Sequence, residues 1–187
     1  MSKVTIKPST HLYPVPAVMV TCGPLEKPNI VTLAWVGTVC SDPPMVGISI
    51  RPSRYSHGLI KGSGEFAVNL PTADLLRATD YCGTVSGRTV DKFATTGLTP
   101  LPAKAIATAI IAECPVNLEC EVRQVVTLGS HDLFLGEIVA VQVDEAVLDD
   151  KQTIDLPKAK PLAFGALRYW SLGELLGTYG DSAKTRS

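Results

Sequence analysis

Two arginines and three serines crowd into the segment Ser49-Ile50-Arg51-Pro52-Ser53-Arg54-Tyr55-Ser56-His57. It falls where an apolar strand gives way to a short helix. Guanidinium forks, hydroxyls and helix-terminal N–H groups therefore meet, and that donor set holds a phosphate. The alternative is a solvated strand-to-helix turn in which Ser53 or Ser56 caps the helix. A second polar stretch, Ser86-Gly87-Arg88-Thr89-Val90-Asp91-Lys92-Phe93, offers Lys92 to neutralise the same anion. The third segment is Asn29 to Cys40. Alternation there places Thr32, Ala34, Val36 and Thr38 on one face and Leu33, Trp35 and Val39 on the other, with Gly37 open to close approach. Such a face of small side chains suits a flat ring lying against the strand and meeting its amides. Plain core packing of a central strand gives the same pattern.

Other chemistry is poorly supported. Gly62-Ser63-Gly64-Glu65-Phe66-Ala67 matches a dinucleotide fingerprint in letters, but it follows a helix and opens a strand, the reverse of what a pyrophosphate at a helix N-terminus needs. His11, His57 and His131 are scattered and lack acidic or thiol partners at metal-ligand spacing, so no metal site is expected. Cys22, Cys40, Cys82, Cys114 and Cys120 are odd in number and irregular in spacing. They read as reduced thiols.

The elements that position these segments are mainly strands. Val15 to Cys22, Asn29 to Cys40 and Met45 to Ile50 are apolar runs bounded by turn residues, and their near-continuous hydrophobicity predicts burial on both faces. Helices are predicted over Ser56 to Lys61 and over Thr72 to Tyr81, the latter with Thr72 as N-cap, and a helical turn over Asp91 to Thr95. A strand over Glu65 to Leu70 separates the first two. Val116, Leu118, Cys120 and Val122 alternate with Asn117, Glu119, Glu121 and Arg123, the signature of a half-buried antiparallel strand. After Gly129-Ser130-His131-Asp132 a second long strand covers Leu133 to Val143. A long hairpin with helical insertions fits a small β-barrel better than a parallel sheet.

Composition bounds the partners. The 17 Lys and Arg against 18 Asp and Glu leave a formal charge of −1, and no basic run substitutes for a duplex-binding surface, so nucleic acid is not expected. The chain has 187 residues, 45% hydrophobic and only 19% charged, with a mean hydropathy of +0.21. One domain of that length buries about 70% of its unfolded surface, and surplus apolar area points to an oligomer interface or a cofactor pocket. No apolar run approaches the ~20 residues of a membrane span, and Met1 to Lys7 lacks a signal-peptide core. The expectation is a soluble, cytoplasmic protein without membrane contact.

Taken together, several blocks resemble the flavin reductase-like, FMN-binding split-barrel family, most closely its flavoredoxin-type members. They are Tyr13-Pro14-Val15-Pro16, Asn29 to Trp35, Pro43 to Ile50, Gly64 to Pro71, Ser86-Gly87 with Asp91-Lys92-Phe93, Glu113-Cys114-Pro115 and His131 to Val139. The resemblance implies a mainly β fold with α insertions, a six-stranded antiparallel Greek-key split barrel over about residues 12–145. A C-terminal extension, 146–187, would serve as dimer contact or lid. It also implies a homodimer with non-covalent FMN near the interface. Carried onto this chain, Thr32, Ala34, Trp35, Val36 and Thr38 would meet the isoalloxazine and ribityl chain. Arg51, Ser53, Arg54, Tyr55 and Ser56 would surround the phosphate, with Ser86, Gly87 and Lys92 closing over it. The implied function is NAD(P)H:flavin reduction or flavin-mediated electron transfer from a redox protein, with no catalytic side chain required. A pyridoxamine-phosphate-oxidase-like enzyme and a non-catalytic flavin carrier are the alternatives. His131 at the hairpin turn and Cys40 at the strand end are further candidates for the ring face and for redox chemistry. The tail Thr178 to Ser187 is expected to fray.

Overall fold

A computed structural model describes residues 1–184. In chain order its elements are β1 (Val15–Pro16), β2 (Val18–Cys22), β3 (Asn29–Leu33), β4 (Val36–Ser41), β5 (Pro44–Ile50), α1 (Tyr55–Ser63) and β6 (Glu65–Leu70). There follow α2 (Leu76–Thr84), α3 (Lys92–Thr96), β7 (Pro100–Pro102), β8 (Ala109–Ile111), β9 (Val116–Thr127) and β10 (Asp132–Val143). The extension adds α4 (Leu156–Ala159), β11 (Leu162–Gly165), β12 (Arg168–Ser171) and α5 (Asp181–Lys184). Of the predicted frayed tail, residues 185–187 lie outside the described residues.

The main sheet is antiparallel throughout and runs β3-β2-β6-β9-β10-β5-β4. Its two edges, β3 and β4, are one stretch of chain interrupted only by Ala34 and Trp35, and the Ser49 N–H donates to the Trp35 carbonyl at 3.0 Å across that break. The sheet thus curls until a single bent strand serves both edges, which makes six strands. β5 does not pair with β6. The chain crosses through α1 to β6 beside β2, then returns through β9 and β10 to β5, the Greek-key order. β9 and β10 are 12 residues each, and register shifts at Leu135/Gly136 and Ile138/Ala140 supply the bulges that bend them. Gly136 is required there. A Cβ on it would lie 2.6 Å from Phe66 Cζ, where that ring crosses the barrel interior.

Two apolar clusters explain why β2 is buried on both faces. Val18, Val20, Val46, Ile48, Phe66 and Phe134 fill the barrel, whereas Met19 and Ile30 pack outward against Cys82, Phe93, Leu98 and Ile111 under α2 and α3. Three expectations from the sequence are corrected. Asn29 to Cys40 is not one regular strand. Leu33 and Val36 both turn to the barrel core, so the Ala34-Trp35 bend shifts the alternation by one and turns Trp35 outward, and Gly37, Thr38 and Val39 on β4 are exposed. The predicted helix from Thr72 begins later. Thr72 bridges Pro161 and Ala73 N–H donates to Lys160 O, so a 3-10 turn over Ala73–Leu75 precedes α2 and Thr72 caps nothing with its side chain.

The third correction concerns β9, whose polar face is solvated at Glu121 and Arg123 but not at its start. Asn117 and Glu119 are buried beneath the segment 99–111. The Glu119 carboxylate accepts hydrogen bonds from Lys104 N–H at 3.0 Å, Ala105 N–H at 2.6 Å and Gln142 Nε2 at 2.7 Å. Burial pushes its pKa up, but these donors outweigh it and hold the carboxyl below its ordinary value. A carboxyl depressed on folding stabilises above its unfolded pKa, and that contribution is lost as pH falls through the folded value. Glu119→Ala is expected to lower the unfolding free energy by about 2–4 kcal/mol in urea titrations at neutral pH, with a smaller difference from wild type in acid.

In the extension, β11 pairs with β1 and β12, and the Tyr169 hydroxyl donates to Asp80 Oδ1 at 3.2 Å on α2. Among the described residues no helix is long and apolar enough to cross a membrane.

Candidate functional site

The turn between β5 and α1 is held by Arg54 N–H donating to Arg51 O at 3.0 Å and His57 N–H donating to Arg54 O at 3.1 Å. Arg54 occupies the N-cap position of α1 with no side-chain cap, so neither Ser53 nor Ser56 is spent on capping. Instead they line a cleft of about 280 Å3 with Arg51, Arg54 and Tyr55. The opposite wall is Ser86 and Gly87, just beyond α2, with Lys92 from α3. Ser56 is buried, and its Oγ accepts from Asn29 Nδ2 at 2.7 Å, leaving its own O–H without an acceptor among the described residues. Gly87 sits directly on the same amide: a Cβ there would fall 1.8 Å from Asn29 Oδ1. No neighbouring residue in the sequence signals Asn29, whose partner lies 27 positions away.

Lys92 is buried, 4% exposed, yet it borders this cleft. Nζ donates to Ile30 O and Cys82 O at 2.6 Å each, tying β3 to the C-terminal half of α2. Burial holds its pKa below the usual lysine value, and Arg54 adds to that shift. Among the described residues no carboxylate lies within 4.0 Å of the cationic heads of Arg51, Arg54 or Lys92.

Val31, Arg51 and Arg54 also border a second hollow of about 230 Å3, so the two adjoin. This end is lined by Thr32, Ala34, Trp35, Ser49 and His131. The His131 and Trp35 rings are 4.6 Å apart between centroids, and Ser130 Oγ lies 2.9 Å from His131 Nδ1. Burial, assisted by the positive charge of Arg51, holds the His131 pKa below 6.5. The Thr32 hydroxyl donates to Thr79 O, so Thr32 presents its methyl and backbone. The structure does not bring all the strand residues here: Val36 packs on the barrel core, and Thr38 lies exposed on β4. Cys40 stands clear of both hollows with its thiol on Asp42 O, and all five cysteines are free.

A buried hydrogen bond that spacing does not signal ties α1 to β10. His57 Nε2 lies 2.8 Å from Asp132 Oδ2, which joins α1 to the residue after His131. This contact holds the Asp132 carboxyl below its ordinary pKa.

A cation-lined cleft running into a strand bend is the arrangement expected of a mononucleotide site. The description "flavin reductase like domain" matches residues 10–172. The chain belongs to this flavin reductase-like family. An uncharacterized protein of Archaeoglobus fulgidus is 39% identical over 155 residues, 83% of this chain and 87% of that protein. Among solved structures, flavoredoxin of Desulfovibrio vulgaris (Miyazaki F) superposes with a TM-score of 0.91 at 32% identity, covering 97% of this chain and all of that one. An FMN-binding protein from Thermus thermophilus gives a TM-score of 0.81 at 27% identity, over 95% of this chain and 99% of that one. As a flavin reductase-like protein, the chain has the split-barrel fold that its sequence resemblance implied.

Proposed function

We propose that this protein binds FMN and acts as an oxidoreductase, taking electrons from NAD(P)H or from a redox protein. The observation that carries the reading is the convergence of Arg51, Arg54 and Lys92, without carboxylate partners among the described residues, on a cleft adjoining the hollow at the strand bend with Trp35 and His131. Three uncompensated cations beside an uncommitted buried hydroxyl fit a phosphate dianion. The hollow at Ala34 and Trp35 fits a flat ring. When bound, FMN supplies the hydride- and electron-accepting chemistry itself.

The chain's own groups then have distinct tasks. Arg54, Ser56 and Lys92 anchor the phosphate. Thr32 and Ala34 present backbone to the ring edge, and Trp35 shields it from water. His131, kept toward its neutral form, offers a ring nitrogen at the open side without adding a charge there.

The test is anaerobic addition of NADH or NADPH to the yellow protein. Bleaching of the flavin absorbance is expected where NAD(P)H is the donor; a bound flavin that neither nucleotide bleaches leaves a redox protein as the donor, and one that no reduced redox protein bleaches either makes the protein a carrier. Arg54→Ala is expected to weaken FMN binding about 10- to 100-fold, the worth of one hydrogen bond to a charged group.

We further propose a homodimer working in the cytoplasm. Trp170, Leu172, Leu175 and Leu176 are exposed along the extension, an apolar surface that suits a second copy, and five free thiols suit a reducing compartment.

A further inference from the structure

The turn that presents the two arginines is exposed from Arg51 to Arg54, and Arg54 precedes α1 without a side-chain cap. Its two ends meet on one residue. Ile50, the last residue of β5, pairs with Asp132 in the β5–β10 ladder, and His57, in the first turn of α1, places Nε2 2.8 Å from Asp132 Oδ2. An ionised carboxylate only accepts, so the imidazole carries a proton on Nε2 and donates it. Both residues are buried, at 7% and 6% exposure. The His57 ring also stands against Phe134, with centroids 5.2 Å apart and planes at 75°, which fixes its orientation. Stability alone is a poor reason for this pair. Asp132 Oδ1 is buried without a hydrogen-bond partner among the described residues, and a buried carboxylate left half-paired is costly where apolar side chains of similar volume often serve as well. What the bond does supply is direction: it closes the loop from Ile50 to His57 at its base.

We propose that His57 and Asp132 are positioning residues for the phosphate end: their hydrogen bond clasps the base of the arginine turn and holds Arg51, Arg54 and the Ser56 hydroxyl ready for a phosphate dianion. The inference rests on the FMN reading given above. Neither residue lines either hollow, so the pair acts through the turn and not by touching the flavin. Ordering two long cationic side chains at the moment of binding costs affinity, and a turn already closed at its base lowers that cost. The effect is therefore confined to the part of the ligand that the turn meets. A flavin without a phosphate gains nothing from the clasp.

Isothermal titration of flavin-free protein with FMN and with riboflavin, which has the same ring and no phosphate, tests this. Wild type is expected to bind FMN at least about tenfold more tightly than riboflavin. Asp132→Ala is expected to weaken FMN about tenfold and riboflavin less than about twofold. His57→Phe keeps a ring against Phe134 and removes the donor, and it is expected to do the same; where Asp132→Ala does not fold, it decides the matter alone. Asp132→Asn keeps an oxygen facing Nε2 and is expected to stay within about threefold of wild type for both flavins. The double variant Asp132→Ala/His57→Phe should bind FMN no more weakly than either single one, because all three lack the same bond. The proposal is overturned if the single variants weaken both flavins by the same factor, the mark of general support, or leave both unchanged. It is also overturned if Asp132→Asn loses as much FMN affinity as Asp132→Ala. Equal binding of FMN and riboflavin by wild type overturns the phosphate reading of the cleft, and failure of both to bind overturns the flavin reading; each takes this inference with it.

Discussion

Lys92→Ala is expected to lower the unfolding free energy by about 2–4 kcal/mol and to weaken FMN binding at least about tenfold. The stability term comes from inside the fold. The ammonium bridges Ile30 O on β3 and Cys82 O on α2, and its stem fills space beside the cluster of Met19, Cys82 and Phe93. Truncation leaves a cavity and two carbonyls without this donor. The binding term comes from charge at the cleft wall. Lys92→Met separates the two because it keeps the stem's volume and removes the donors. It is expected to recover part of the stability in urea titrations and none of the FMN affinity measured by calorimetry. If Lys92→Ala and Arg54→Ala both bind FMN as wild type does, the phosphate end has been placed wrongly.

Gly87→Ala is expected to cost about 1–3 kcal/mol of stability and to reduce FMN affinity more than about tenfold. The added carbon would sit 1.8 Å from Asn29 Oδ1 and 3.2 Å from Tyr55 Cδ1, so the Asn29 side chain has to move. That amide is anchored: it donates to Ser56 Oγ at 2.7 Å, and Asn29 is 5% exposed. Displacing it releases Ser56 from its orientation at the phosphate end. The double variant Gly87→Ala/Asn29→Ala removes the clash, so its destabilisation should be smaller than the sum of the two single effects. Strict additivity in a urea-derived cycle would show that Gly87 and Asn29 do not press on each other.

The residues that carry these predictions differ in how well they could be read from the chain. Arg51 and Arg54 announce themselves by clustering where a strand ends, and they do line the cleft. Lys92 was legible as a cation near the arginine turn, but not as a buried clamp on two backbone carbonyls. Asn29 and the His57–Asp132 pair gave no local sign, because their partners are 27 and 75 positions away. Glu119 gave a misleading one. A charged residue alternating with apolar ones reads as solvent-facing, and only the covering segment 99–111 with its free N–H groups makes burial favourable.

By itself the sequence determined the strand-rich class, the long β9–β10 hairpin, the position of the arginine turn and, through the order of its motif blocks, the family. Those features follow from side-chain periodicity and from short-range turn chemistry, which act over a few residues. Only the tertiary structure decided that Ala34 and Trp35 bend one strand to serve both edges of the barrel, that His131 meets Trp35 over that bend, and that Gly87 rests on Asn29. The last two contacts join residues 96 and 58 positions apart, and their energy depends on closing the barrel. No local preference along the chain encodes where the ends of a closed sheet will meet.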